Sequence, residues 1–274
     1  MQDVAGLREE QHDVPHTIEA SDYKQVAKEL GKPQRDPNYK VFTEDTDITF
    51  YHASDIEVRE PLWDYARSVM SEPEADLRDF GLGFYTCLDV EYPLKLASSK
   101  DVLTLNKYIA NLKGLRYVEF ELDLEWLLTI GFHRRDMNSR KWCHALRDRC
   151  RSWLSGCDVA IGVISNDKTY SAVEGFLDNL MPDSAAIAMI NAANYGVQYV
   201  FKSNVAAQRL KDGFHSSTSY DASQIHFYRN TFANEKEEYS AIADKLRMDI
   251  MEQGGGMFFE RIVSGGAIDG RVRF

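Results

Sequence analysis

Two short segments do most to limit what this chain can fold into. Phe50-Tyr51-His52-Ala53-Ser54 is followed, after an acidic stretch, by Asp79-Phe80-Gly81-Leu82-Gly83-Phe84-Tyr85-Thr86. The first closes a short β-prone run, Ile48–Tyr51, so it reads as a strand ending at His52. The second reads as a strand over Phe80–Cys87, in which Gly81 and Gly83 allow a sharp bend or the close approach of a ligand. A third strand, Gln198–Lys202 within Tyr195-Gly196-Val197-Gln198-Tyr199-Val200-Phe201, completes a set of polar and aromatic side chains carried on strands.

The bulk of the chain permits a packed core around these strands. It has 274 residues, 44% of them hydrophobic and 12% aromatic. That suits one large domain with extensions. The formal charge of −11 and pI near 5.2 repel nucleic-acid phosphates on average, so a polynucleotide partner needs a local basic patch. Arg134, Arg135, Arg140, Lys141, Arg147, Arg149 and Arg151 offer one, although a solvated helix face is the simpler reading. No apolar run approaches the roughly 20 residues of a membrane span, and Met1-Gln2-Asp3-Val4 lacks the basic and apolar regions of a secretory signal. Four cysteines are too sparse for a disulfide framework. A reduced, cytoplasmic protein with no membrane partner is expected. Cys143, Cys150 and Cys157 recur evenly, with His144 beside the first. Zinc ligands come as pairs about two to five residues apart, so small core-facing residues explain the spacing better and no metal is expected.

Residues 1–40 are polar and broken by Pro15, Pro33 and Pro37; they read as an arm with one short helix near Ser21–Leu30. Residues 41–212 form the expected catalytic domain and 213–274 a helical extension. Helices are expected at Leu62–Met70, Glu91–Asn111, Arg140–Leu154, Ser171–Asn179 and Ser184–Asn191. A long one covers roughly Ala233–Glu252. Further strands are expected at Tyr117–Leu122 and Val159–Ile164. Ser216–Ser219 reads as a loop, and the tail from Gly254 is Gly-rich with one apolar patch, Met257-Phe258-Phe259.

The three strand motifs, in this order, resemble the nicotinamide clamp of the ADP-ribosyltransferases of the diphtheria-toxin and poly(ADP-ribose) polymerase type. The match is closer to a related bacterial domain family of uncharacterised function. Its pattern is met by Tyr51-His52-Ala53-Ser54, the Asp79–Tyr85 segment, Asp158-Val159-Ala160-Ile161-Gly162 with Asn166-Asp167-Lys168-Thr169, and Gln198-Tyr199-Val200-Phe201-Lys202. The resemblance covers roughly residues 48–210. It implies an α+β fold of two packed, mostly antiparallel sheets around an NAD cleft, flanked by helices.

It also implies roles. His52 would orient the nicotinamide ribose and Tyr85 would stack on the ring. Ala53 would grip the carboxamide through its backbone, and Ser54 through its hydroxyl. Tyr51, Gly83 and Asp167 would border the ligand, and Lys168 would meet its pyrophosphate. Gln198 stands where the polymerases carry a catalytic Glu. An amide donates and accepts hydrogen bonds but cannot serve as a base, so polymer formation is not expected. Asp167 and Glu174 are the candidates for a helping carboxylate. The implied activity is mono-ADP-ribosylation of a macromolecule, with NAD as substrate and a protein acceptor favoured over nucleic acid. A toxin or defence effector with a neutralising, antitoxin-like partner fits that activity. NAD glycohydrolysis and a silent binding module are the alternatives. Asp79-Phe80-Gly81 with His133-Arg134-Arg135-Asp136 mimics kinase signatures, in the wrong order and without a Gly-rich loop.

Overall fold

The computed structural model describes residues 39–59, 62, 64, 66, 78–135, 143–264, 271 and 272. Eight strands form one hydrogen-bonded sheet: β1 (Lys40–Val41), β2 (Asp47–Ser54), β3 (Phe84–Cys87), β4 (Leu103–Asn111), β5 (Arg116–Glu119), β6 (Val159–Val163), β7 (Val197–Phe201) and β8 (Phe214–Tyr220). Their order is β1-β5-β6-β7-β3-β2-β4-β8. Only the β5–β6 contact is parallel; every other pairing is antiparallel.

The expectation of two packed sheets is corrected to one mixed sheet with a narrow waist. β2 and β4 are in register over their whole length, from Asp47↔Asn111 to Ser54↔Thr104. β3 and β7 pair from Phe84↔Phe201 to Cys87↔Gln198. These two halves meet through a single pair, Tyr51↔Cys87. The sheet is continuous in its hydrogen bonds yet splays at β2/β3, and the first two motifs lie on either side of that waist.

Both faces of the sheet centre are covered, as alternation along β6 and β7 demands. Val159 and Ile161 face one cluster with Phe50, Phe84, Tyr108, Phe201 and Leu210, and Ala160 and Val200 face the other. Successive residues of a strand point to opposite faces, so a strand buried on both sides reads as an unbroken apolar run. Phe50 meets Phe201 edge-on, ring centroids 5.3 Å apart.

Eight helices pack around the sheet among the described residues: α1 (Glu91–Ala97), α2 (Leu124–Arg134), α3 (Cys143–Ser155), α4 (Asp167–Leu177), α5 (Asp183–Ala193), α6 (Asn204–Asp212), α7 (Ala222–Gln253) and α8 (Phe259–Ser264). Residues 62, 64 and 66 are also helical. α2 is the central helix of the larger cluster and is buried from Leu124 to His133. The Asp123 side chain caps it, accepting from Trp126 N at 3.0 Å, which satisfies one of the orphan amides of its first turn. α7 starts at a full capping box, Asp221 with Gln224, and ends at Gly254 with φ 70°. Ile225, Phe232, Tyr239 and Ala243 form its buried stripe.

Two sequence expectations change here. The single helix over Glu91–Asn111 is α1 followed by β4: the turn at Ser98–Asp101 stops the helix, and Leu103–Asn111 fills the sheet between β2 and β8. The expected loop at Ser216–Ser219 is the body of β8, paired with β4 from Leu103↔Tyr220 to Tyr108↔Phe214. Residues from 214 onward therefore contribute an edge strand as well as helices. In the candidate basic patch, for which a solvated helix face is the simpler reading, three described members are paired separately. Arg135 pairs with Asp178 at 2.9 Å, Arg147 with Asp148 at 3.1 Å, and Arg134 turns inward. Arg140 and Lys141, the polar arm up to residue 38 with its short helix, and the acidic loop at 71–77 lie outside the described residues. Cys150 and Cys157 are buried in the larger cluster, as expected of small core-facing residues; the side chains of Cys143 and His144 lie outside the described set.

Candidate active site at the sheet waist

Where β2 and β3 splay, a cavity of about 680 Å³ opens, and Tyr51, His52, Ala53, Tyr85 and Gln198 all line it. Five of the residues singled out in the sequence therefore converge on one space, although they come from three separate strands.

His52 ties the two sides of the waist together. Its Nδ1–H donates to the Tyr85 carbonyl at 2.8 Å. A carbonyl can only accept, so this contact fixes the tautomer and leaves Nε2 as the acceptor nitrogen. Burial lowers the His52 pKa from 6.5 to about 4, so the ring is neutral at physiological pH. Phe84 lies against it, ring centroids 4.5 Å apart. Tyr85 is anchored at its far end: its hydroxyl donates to Gly81 O at 2.7 Å and accepts from Phe80 N at 3.1 Å. Those bonds fix the ring as a cavity wall, and burial pushes the phenol pKa far up. The Arg78 guanidinium sits 5.5 Å from the ring centroid.

The cavity lining also holds a carboxylate, Asp79, to which the sequence assigned no role. Gln198 Nε2 donates to Asp79 Oδ2 at 2.6 Å and to Val163 O at 3.2 Å. Both partners are pure acceptors, so the amide orientation is determined and Oε1 is left to face a donor. The same Asp79 oxygen accepts from Ser165 N at 2.8 Å, and Arg134 Nη1 lies 3.4 Å from Oδ1. Burial raises the Asp79 pKa, while Arg134, the Ser165 amide and the Gln198 amide pull it down. The balance leaves its pKa above the ordinary carboxylate value, with three donors directed at the group. Arg134 also donates to Ser165 O at 2.7 Å and lies 4.2 Å from the Tyr170 ring centroid.

Among the described residues the cavity lining carries three cations, Arg78, Lys100 and Arg134, against two carboxylates, Asp55 and Asp79. In a chain of charge −11 this is a locally basic site, suited to an anionic ligand.

Other sequence candidates take supporting places. Ser54 does not line the cavity: it is buried, donates to Ile56 O at 2.6 Å and accepts from Asn106 Nδ2 at 3.2 Å. Gly83 backs onto β7, where an added Cβ would lie 2.5 Å from Val200 Cγ1 and 3.1 Å from Phe201 O. Gly81, at φ +69°, would bring a Cβ to 2.8 Å from the His133 ring. Lys202 Nζ reaches under the turn to donate to Phe80 O and, at 2.9 Å, to Leu82 O; burial lowers its pKa to about 8. Asp158 clasps Arg116 N at 2.9 Å and Ser203 Oγ at 2.7 Å. Glu174 is exposed on α4 and outside the cavity lining. The backbone of Asp167 and Lys168 opens α4; their side chains lie outside the described set. The residues missed from the sequence are Asp79 and Arg134. Asp79 heads the Gly-rich segment, but a loop carboxylate beside a kinase-like decoy gave no sign that it would meet Gln198.

No curated protein matches the chain. Among solved structures, a chain of the M. tuberculosis MbcT-MbcA toxin-antitoxin complex aligns with a TM-score of 0.39 at 8% identity, over 78% of this chain and 100% of that one. A family model described as "Protein of unknown function (DUF3990)" matches residues 48–211, a span that contains every residue lining the cavity. By that match the chain belongs to the DUF3990 family.

Proposed function

We propose that the waist cavity binds NAD and that the protein transfers a single ADP-ribose from it to a macromolecular acceptor, releasing nicotinamide. The observation that carries this reading is the convergence of a neutral His52, the anchored Tyr85 ring and a carboxylate-backed Gln198 on one cavity.

Cleavage of the C1′–N bond sends its electron pair to the nicotinamide nitrogen and leaves an oxocarbenium-like ribose. The acceptor nucleophile then bonds C1′ and its proton leaves to water. Tyr85 supplies a flat wall for the nicotinamide, the backbone of Ala53 meets the carboxamide, and His52 Nε2 accepts from a ribose hydroxyl. Gln198 Oε1 accepts from the other side of that ribose. Asp79 makes the amide oxygen more electron-rich and sets a negative charge beneath the developing cation, a preorganised electrostatic contribution. Gln198 and Asp79 together thus stand in for the polymerase Glu without providing a base to activate a weak acceptor. A toxin or defence effector held by a neutralising protein partner is the setting that this chemistry fits.

The test is incubation with labelled NAD and a cell extract that is afterwards divided by protease and nuclease. Protein-bound label that His52→Ala and Asp79→Asn abolish is the expected result. Free ADP-ribose without labelled acceptor would assign glycohydrolysis instead, and NAD binding without nicotinamide release would leave a binding module.

A further inference from the structure

A second cavity, of about 700 Å³, lies between α1 and the N-terminal half of α7 and shares Leu96 and Ser165 with the first. Each volume falls in the range of about 300–1,000 Å³ usual for small-molecule sites, so the two form successive compartments of one cleft. The second has a distinct chemistry. Among the described residues Lys95, Arg229 and Lys236 line it, with no carboxylate beside them. Lys95 is held by Glu235 at 2.8 Å and Glu91 at 3.5 Å. Arg229 donates through Nε to Ser98 O at 2.8 Å, with Asp101 4.0 Å away. The Lys236 ammonium lies 4.4 Å from the Phe232 ring centroid, and Phe232, Ala233 and Leu96 give the compartment an apolar wall.

At the junction stands Ser165. It is 6% exposed and its backbone is fully engaged, N–H to Asp79 and C=O from Arg134. Its hydroxyl, however, has no hydrogen-bond partner. A buried, unpaired hydroxyl is unusual enough to need a reason, and a ligand oxygen at the boundary of the two compartments supplies one.

We propose that this second compartment holds the adenosine and pyrophosphate end of the dinucleotide, with Ser165 and Lys236 meeting the phosphates. The proposal rests on the NAD reading of the first cavity and extends it: α7 lies beyond the 48–211 family region, so this chain's own C-terminal helix completes the substrate cleft.

The test is calorimetric titration of the full chain with NAD, ADP and nicotinamide mononucleotide, repeated on Ser165→Ala and Lys236→Glu after thermal melts show both variants folded. The expected result is that each variant weakens NAD and ADP by about tenfold, the scale of one charge-assisted contact. Nicotinamide mononucleotide should stay within about threefold of the native value. Unchanged NAD and ADP binding in both variants overturns the proposal while leaving the NAD reading intact. So does equal weakening of nicotinamide mononucleotide, and absence of ADP binding by the native chain overturns it too. ADP binding that the variants lose, in a chain that binds no nicotinamide mononucleotide, supports the compartment and sinks the transferase reading alone.

Discussion

The Gln198 amide donates to the Asp79 carboxylate at 2.6 Å, across 119 positions of sequence. That bond decides what the strand-borne Gln can do. Its nitrogen is committed to Asp79 and the Val163 carbonyl, which leaves its oxygen to accept from a ligand. The Asp79 carboxyl group stands beside it in the cavity lining. Asp79→Asn keeps the size but removes the charge and the ion pair to Arg134. We expect nicotinamide release to fall about a hundredfold, in line with loss of one preorganised electrostatic group, while NAD affinity by calorimetry changes far less.

Placing a Glu at position 198 is not expected to raise activity. Gln198→Glu sets a second carboxylate within hydrogen-bond distance of Asp79, where both cannot ionise cheaply. The variant should lose about 2 kcal/mol or more of stability at pH 8. The deficit should shrink towards pH 5 as the pair takes up a proton. Denaturant midpoints at the two pH values check this; a variant as stable as the native chain at pH 8 would contradict the geometry.

Tyr85 separates anchoring from stacking. Tyr85→Phe keeps the wall but strips the Phe80 amide and the Gly81 carbonyl of their partner, costing about 1–3 kcal/mol of stability. NAD affinity should stay nearly unchanged. Tyr85→Ala should abolish measurable NAD binding. Melting and calorimetry on the two variants together distinguish the roles.

Acid sensitivity follows from two buried histidines. The pKa of His52 falls from 6.5 to about 4 and that of His133 from 6.5 to about 3. In this interval the unfolded chain binds more protons than the folded one, so their contribution is fully present above pH 6.5 and is lost as pH falls towards 4. Asp79, whose pKa burial raises, works in the opposite sense. Melting temperature measured from pH 7.5 to 4.5 should decline, and His52→Asn should decline less steeply.

A chain ending at Asp212 lacks β8 and α7. It leaves β4 with an unpaired edge and exposes Leu103 and Leu105, which pack with Ile225 of α7. Such a chain is expected to give no cooperative thermal transition by circular dichroism. A sharp melt would show that residues 41–212 suffice.

The sequence alone located most of the strands that line the cavity. An unbroken apolar run marked β6, the Gln198–Lys202 motif marked β7, and the His and Gly-Phe-Tyr motifs located β2 and β3, because those signals are local. It missed α2, even though Asp123 stands as an N-cap before Leu124-Glu125-Trp126. A helix buried on every side has no polar face to give it an amphipathic period. It also ran α1 through into β4, since a short helix and a buried strand share the same apolar residues until a partner strand selects one.

What the sequence determined by itself is the set of residues that can serve the site: a His, a Tyr and a Gln on β-prone segments, with glycines where backbones must pass closely. Tertiary structure decided how that set works. It joined the halves of the sheet by one residue pair, so that a cavity opens there. It brought Asp79 and Arg134 from a loop and a helix end to the back of Gln198, and it placed α7 beside α1. None of these contacts is between chain neighbours. Each is fixed by packing of the whole core, which no local pattern of residues encodes.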